Sequence, residues 1–419
     1  MKFTKMSLVA ALLVGSSAFA IDNIKVSGDA KLYYSTEDKD NQDLFNKDAS
    51  AGQAAFTLGI TADLVKNISA GAHITALSTL GLEHQLVENV WEGTAGLSDS
   101  WIMDEAWIAT TMGKTTAKIG RMELDTPLVF TETWSIAKNT FEAAVLLNQD
   151  LPDTTLVAAY VGGTNGGTDI SKTGIGVPDV GIANRIQTQN ASNTTFSQFY
   201  NGAFAVAAIN NSWKPLTVQA WYYDAPTYVN GYWVQADLAM DGIIAGAQYT
   251  GINYTKSKNL PIAKDASNDA FAVMLGYTMK DTVTVKASFS QVGQEKDSTL
   301  GLGAAQNLAT LRNNAQSKLY TEAWWSYGYV TRADTQAFTI TAEAPVKDVA
   351  DLGVYYTSTT TSDNGVAGVE DVNMQELTVT ASKSLGALDA TIAYIYTDAD
   401  DQNEGDAYNT IQAYLTLNF

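Results

Sequence analysis

Cysteine is absent from this chain of 419 residues, there are only two histidines and seven prolines, and 25 lysines and arginines stand against 45 aspartates and glutamates, a formal charge of −20. Without thiols there is no disulfide framework and no cysteine metal site; a large closed sheet needs neither, because its backbone hydrogen-bond ladder holds it together. The shortage of positive charge argues against nucleic acid and against anionic substrates such as phosphate, since both need a basic patch. Cations are the favoured small partners. Long apolar runs are also missing: beyond the first twenty residues nothing approaches the ~20 consecutive apolar residues of a membrane helix. If the chain enters a bilayer, it does so as strands.

Patterning supplies what composition leaves open. At the start, Lys2 and Lys5, the apolar stretch Met6 to Val14 and the small-x-small site Ala18-Phe19-Ala20 read as a secretory signal peptide, residues 1–20, cut after Ala20. The mature chain, 21–419, is then expected to be a single domain. At the far end (YNTIQAYLTLNF), Ile411, Ala413, Leu415, Leu417 and Phe419 share one strand face and Gln412, Tyr414, Thr416 and Asn418 the other. A strand that stops on an aromatic suits a barrel whose last strand closes on its first. This ending resembles the C-terminal assembly signal of outer-membrane β-barrels, with Phe419 as the terminal aromatic.

Between the ends, short turns alternate with long polar loops. Tight turns are predicted at Val65-Lys66-Asn67, Met112-Gly113-Lys114, Gln149 to Asp153, Asn210-Asn211-Ser212, Asp241-Gly242, Lys280-Asp281, Pro345 to Ala350 and Ser384-Leu385-Gly386. Eight turns join sixteen strands, and the first and last strands bring the total to about eighteen, the even number a bacterial barrel requires. The expected fold is therefore all-β, a transmembrane antiparallel barrel. Tyr320 to Val330 is ambiguous between the outer end of the strand that reaches Ala344 and a separate strand. The aromatic clusters Trp221-Tyr222-Tyr223, Tyr232-Trp233, Trp324-Trp325, Tyr355-Tyr356 and Tyr394 with Tyr396 suit belts at the two membrane interfaces.

One stretch breaks the alternation early. Lys118 to Pro127 (KIGRMELDTP) closes a strand, and Val129 to Asn139 (VFTETWSIAKN) has no period before Thr140 to Leu147 resumes it. A loop of this kind folded inward would narrow a lumen. It would place Glu123, Asp125 and Glu132 opposite Lys118 and Arg121 of the adjoining wall, a pore constriction that chooses ions by field. Strict alternation puts Arg121 in phase with Ala117 and Ile119, which face lipid. Lumen placement requires a bulge near Gly120, and the other reading is a rim arginine against a lipid head group.

In this stretch, through Gly120-Arg121, Leu124-Asp125-Thr126-Pro127, Asn139-Thr140-Phe141-Glu142 and Asn148-Gln149-Asp150-Leu151-Pro152-Asp153, the chain resembles the major outer-membrane porins of the epsilonproteobacterial type and, more distantly, substrate-selective porins. The resemblance implies an eighteen-stranded barrel, usually trimeric, that passes small hydrophilic solutes with a preference for cations. A channel selective for one cationic or amphoteric nutrient is the first alternative, and a soluble secreted all-β adhesin the second.

Signs of other chemistry are sparse. His73 lies on a polar strand face and His84 in a loop, and neither accompanies a serine and aspartate spaced for nucleophilic catalysis, so no enzyme and no cofactor is expected. Asp398 to Asp406 (DADDQNEGD) lacks the glycine offset and closing glutamate of a calcium loop. It reads as a solvated acidic loop, with weak divalent bridging to lipopolysaccharide as the sharper alternative.

Overall fold

The computed structural model describes residues 22–78, 80–81, 100–132, 136, 138–164, 197–226, 228–256, 265–294, 303–309, 316–362 and 371–419. The expected signal peptide and His84 lie outside these. Eighteen strands follow in order: β1 (Asp22–Glu37), β2 (Ser50–Val65), β3 (Ile68–Ser78), β4 (Ser100–Met112), β5 (Thr115–Met122), β6 (Phe141–Asn148), β7 (Thr154–Thr164), β8 (Ser197–Asn210), β9 (Leu216–Ala225), β10 (Val229–Met240), β11 (Ile243–Tyr254), β12 (Ala266–Met279), β13 (Val283–Val292), β14 (Thr335–Val346), β15 (Ala350–Thr361), β16 (Val372–Leu385), β17 (Leu388–Ala399) and β18 (Tyr408–Asn418). Each pairs antiparallel with its neighbours in sequence, and β18 pairs with β1, so the sheet closes on itself and leaves no free edge. Every one of the eight predicted tight turns joins two adjacent strands.

Turn chemistry accounts for the tight ends. Asp241 (φ 52°) and Gly242 (φ 84°) are both left-handed, the geometry a two-residue hairpin needs to match strand twist, and glycine and aspartate reach it at low cost. Along the wall the alternation is direct. Ile119 (63% exposed) and Leu275 (64%) stand outward, while Gln412 and Thr378, fully buried, point inward. Inward threonines pair across strands, as Thr339 with Thr357 (3.0 Å) and Thr335 with Thr361 (2.7 Å), which stabilises the register without an apolar core.

Phe419 extends the β1–β18 seam beyond the paired strands. Phe419 N–H donates to the Gly28 carbonyl (3.0 Å) and Gly28 N–H to that of Phe419 (2.9 Å), and the Phe419 ring stacks on Phe56 at 5.7 Å.

The aromatic clusters divide by parity rather than acting as belts throughout. Tyr222 (49% exposed) and Tyr394 (41%) face outward, but Trp221, Tyr223 and Trp233 are buried on the inner face. Trp324 and Trp325 are on no strand at all. Tyr320 to Val330 is neither of the expected strands. It is irregular chain ending in a 3-10 turn, Tyr327–Thr331, pressed against the inner wall. Its apolar side chains have a protein surface to cover, so nothing drives them into the sheet.

Candidate constriction

Among the described residues, two connections on the long-loop end fold into the barrel. The first, between β5 and β6 and described at 123–132, 136 and 138–140, begins as a tight hairpin: Asp125 bridges to Phe130, Thr131 N–H donates to the Leu124 carbonyl (2.7 Å), and the Thr126 hydroxyl donates to the Val129 carbonyl (2.6 Å). Its tip, Leu128, is fully buried, donates its N–H to the Tyr223 hydroxyl on β9 (3.4 Å), and lies against Gly231 on β10. On the return, Asn139 holds Phe130 and Glu132 through its side-chain amide (3.1 and 2.6 Å), and Ile136 packs on Tyr33, Ala55 and Leu77 of β1, β2 and β3. Since β1 and β10 lie half a circumference apart in an eighteen-stranded ring, this loop spans the lumen from wall to wall.

The second connection, between β13 and β14, is described at 293–294, 303–309 and 316–334, and by sequence its first half belongs to the long polar loops expected to be solvated. It instead lines the inner wall from β10 to β16. Gln248 donates to the Lys318 carbonyl (2.8 Å) and accepts from Tyr320 N–H (3.1 Å). Thr250 donates to the Ala304 carbonyl (3.2 Å) and Thr339 to that of Thr321 (2.8 Å). Buried Glu376 accepts from the N–H groups of Trp325 (3.0 Å) and Ser326 (2.6 Å). Leu128, Leu308, Leu319, Tyr329 and Val330 join Trp221, Tyr223 and Trp233 in one apolar cluster, so the hydrophobic packing sits between loop and wall.

Asn307 joins the two loops. Its amide oxygen accepts from Phe130 N–H (3.2 Å), and its nitrogen donates to the Phe130 carbonyl (2.9 Å) and to Glu132 Oε1 (3.0 Å). Lys318 reaches back to Asp125 (2.8 Å) and lies 4.5 Å from the centre of the Phe130 ring.

The predicted charged set is therefore dispersed. Asp125 (side chain 84% exposed) and Glu123 (41%) are open to solvent, the latter paired with Lys138 at 2.9 Å. Lys118 is on the inner wall, 4.2 Å from the centre of the Trp107 ring. Two placements differ from expectation. Glu132 is 2% exposed and faces the interior of the paired loops rather than open lumen, because it receives the Asn307 amide there. Arg121 does not enter the lumen: register runs unbroken through Gly120 on both sides, which keeps Arg121 in phase with Ile119. The arginine bonds Glu142 (3.1 Å) and the Met103 carbonyl (3.1 Å) instead.

Glu322, on the second loop, holds its proton to about 8 from an ordinary 4.5, chiefly because it is packed away from water and further because Glu132 is near; Ser317 N–H and Lys318 oppose this. A carboxyl whose seated value is raised favours the seated state fully below its free value and loses that contribution as pH climbs through the seated one. Seating of this loop should be tightest below about pH 4.5 and weaken up to about pH 8, and Glu322→Gln should flatten the trend. The fluorescence of Trp324 and Trp325 against pH in detergent measures it.

Two carboxylates of the acidic segment at 398–406 bind neighbouring stretches of chain. Asp400 accepts from Asn373 N–H (2.8 Å), and Asp401 binds Arg332 (2.9 Å) and the Tyr329 hydroxyl. Among the described residues no cluster of three or more histidines and carboxylates is arranged to hold a metal.

The family model described as Gram-negative porin matches residues 7–322. No curated protein sequence matches the chain. Among solved structures, OccK8 (OprE) of Pseudomonas aeruginosa superposes with a TM-score of 0.70 at 13% identity over 96% of this chain and 99% of that one. OccK1 (OpdK) of the same species gives 0.68 at 11% identity (95% and 98% covered), and OccK2 (OpdF), solved in complex with glucuronate, 0.65 at 11% (95% and 98%). At these identities the likeness is one of fold.

Proposed function

This chain belongs to the Gram-negative porin family and forms an outer-membrane channel for the diffusion of small solutes, and from its lumen charges we infer that the passage prefers cations. The observation that carries the preference is the sign balance of the inner surface. Lys31, Lys138, Lys286 and Lys318 each stand within 3.6 Å of a carboxylate, namely Asp29, Glu123, Glu343 and Asp125. Asp104, Glu105 and Asp237 add negative charge beyond those pairs. In a lumen walled by low dielectric, such an excess raises local cation concentration without a tight site.

Of the predicted constriction set, Asp125 and Glu123 keep a direct part in this reading and Lys118 tempers it; Glu132 contributes by holding the loop. The family succession around Gly120-Arg121 and Leu124-Asp125-Thr126-Pro127 supports the epsilonproteobacterial porin type and, with it, a homotrimer. The start of the chain supports a cleaved signal peptide, and Phe419 at the seam supports its role as the assembly signal. Lipid and lipopolysaccharide are the expected surroundings of the outer wall.

Reversal potential across a salt gradient in planar bilayers tests the preference. Wild type should favour potassium over chloride, and Asp125→Asn should lower that ratio. A saturable block by a single solute would favour a nutrient-selective channel, and a chloride-preferring wild type would contradict the proposal.

A further inference from the structure

On β4 the sequence breaks register at one place on the wall. His73 pairs with Glu105 and Ile74 with Met103, so Asp104 is an extra residue and both carboxylates reach the inner face. Asp104 is 4% exposed; one oxygen lies 2.7 Å from His73 Nδ1 and the other accepts the Thr75 hydroxyl at 2.8 Å. Glu105 accepts from the Trp107 indole (3.1 Å), and the Trp107 ring carries Lys118 over it. The ring lies where a side chain at residue 71 would stand: a Cβ on Gly71 would be 2.5 Å from it.

We propose that this bulge is a second charge filter, on the barrel wall and separate from the inward loops, in which Glu105 selects for cations and protonation of His73 cancels the selection. The proposal rests on the cation preference inferred above. A bulge in an otherwise regular strand turns a side chain to a face that alternation forbids, and here that side chain is a carboxylate holding a histidine. With Nδ1 committed to Asp104, the remaining ring nitrogen is left to the lumen, and the His73 side chain is 27% exposed.

Among the described residues, the groups acting on His73 are Asp104 and Glu105 of β4 and Asp29 of β1; Asp29 is paired with Lys31, and β2 places Gly59 opposite it. Taking Asp29, Asp104 and Glu105 against Lys31 and Lys118, the patch carries one net negative charge when His73 is neutral and none when it is protonated. A passing cation therefore meets an attractive wall on the alkaline side of the histidine titration and a neutral one on the acid side.

The test is the potassium-to-chloride permeability ratio of the whole purified protein in planar bilayers, measured from pH 5.5 to pH 8.5. The wild-type ratio should fall on acidification, and His73→Gln should remove most of that fall. Glu105→Gln, which removes the charge but keeps an oxygen to accept from the Trp107 indole, should lower the ratio throughout while leaving a pH trend. A His73→Gln channel that tracks wild type with pH overturns the proposal, and so does an unchanged ratio in Glu105→Gln. A failed cation preference is distinguishable, since a His73-dependent shift would persist in a channel that prefers chloride.

Discussion

Asn307→Ala should unseat both inward loops together and raise single-channel conductance. The amide of Asn307 serves Phe130 on both its backbone groups, the Ala309 N–H (3.1 Å) and Glu132, all buried. Leaving such groups unpaired costs ~1–3 kcal/mol each, more for a carboxylate, so the loss is about 3 kcal/mol or greater even after partial relaxation. That corresponds to a shift on the order of a hundredfold between seated and released loops. Asn307→Asp should act in the same direction, because it keeps the acceptor and sets a second carboxylate against Glu132. Conductance histograms and open-channel noise in planar bilayers measure both. A wild-type conductance in Asn307→Ala would mean that apolar packing alone seats the loops.

Gly28→Val should prevent barrel closure. A Cβ at Gly28 would stand 2.4 Å from the Thr57 carbonyl oxygen and 2.7 Å from the Phe419 ring. The ring can swing aside, but the carbonyl belongs to the β1–β2 ladder and can move only by breaking it. Overpacking of this kind costs ~1–3 kcal/mol, and here it falls on β1, which pairs with β2 on one edge and with β18 at the seam on the other. The expected result is loss of the compact form that migrates fast on unheated gels. Phe419→Ala, which gives up the stacking on Phe56 but leaves both backbone hydrogen bonds, should cost about 1 kcal/mol and slow assembly rather than abolish it.

These two positions also mark how far the sequence could be read. The wall was legible because its information is local. A turn such as Asp241-Gly242 announces itself by backbone preference, and period-two alternation on each side sets the face of every residue, so strand number and closure followed. The first inward loop was visible as a loss of period. Its partner was not, because the contact that joins them, Phe130 to Asn307, spans 177 residues. The signal was present in Ala304-Ala305, Leu308 and the aromatics from Tyr320 to Tyr329, too apolar for a loop in water.

The same limit explains the misplaced charges and rings. Alternation says that Trp221, Tyr223 and Trp233 face inward, but it takes the two inward loops, through Leu128 of the first and Leu308, Leu319 and Tyr329 of the second, to turn that face from wet to dry. Glu132 reads as a lumen charge until Asn307 arrives to receive it. For Arg121 strict parity was the better guide, since Gly120 takes a positive φ of 126° without shifting the register.

The central claim is that a second loop covers the wall above a hydrated vestibule, and strand β14 tests it on one face. Thr339 and Glu343 both point inward, four residues apart; Thr339 is 2% exposed beneath the loop, while the Glu343 side chain is 44% exposed. The chain has no cysteine of its own, so Thr339→Cys and Glu343→Cys each carry a single thiol. A charged, membrane-impermeant methanethiosulfonate should modify the cysteine at 343 rapidly and change the current, and leave the one at 339 nearly untouched. Equal rates at the two positions would contradict the account.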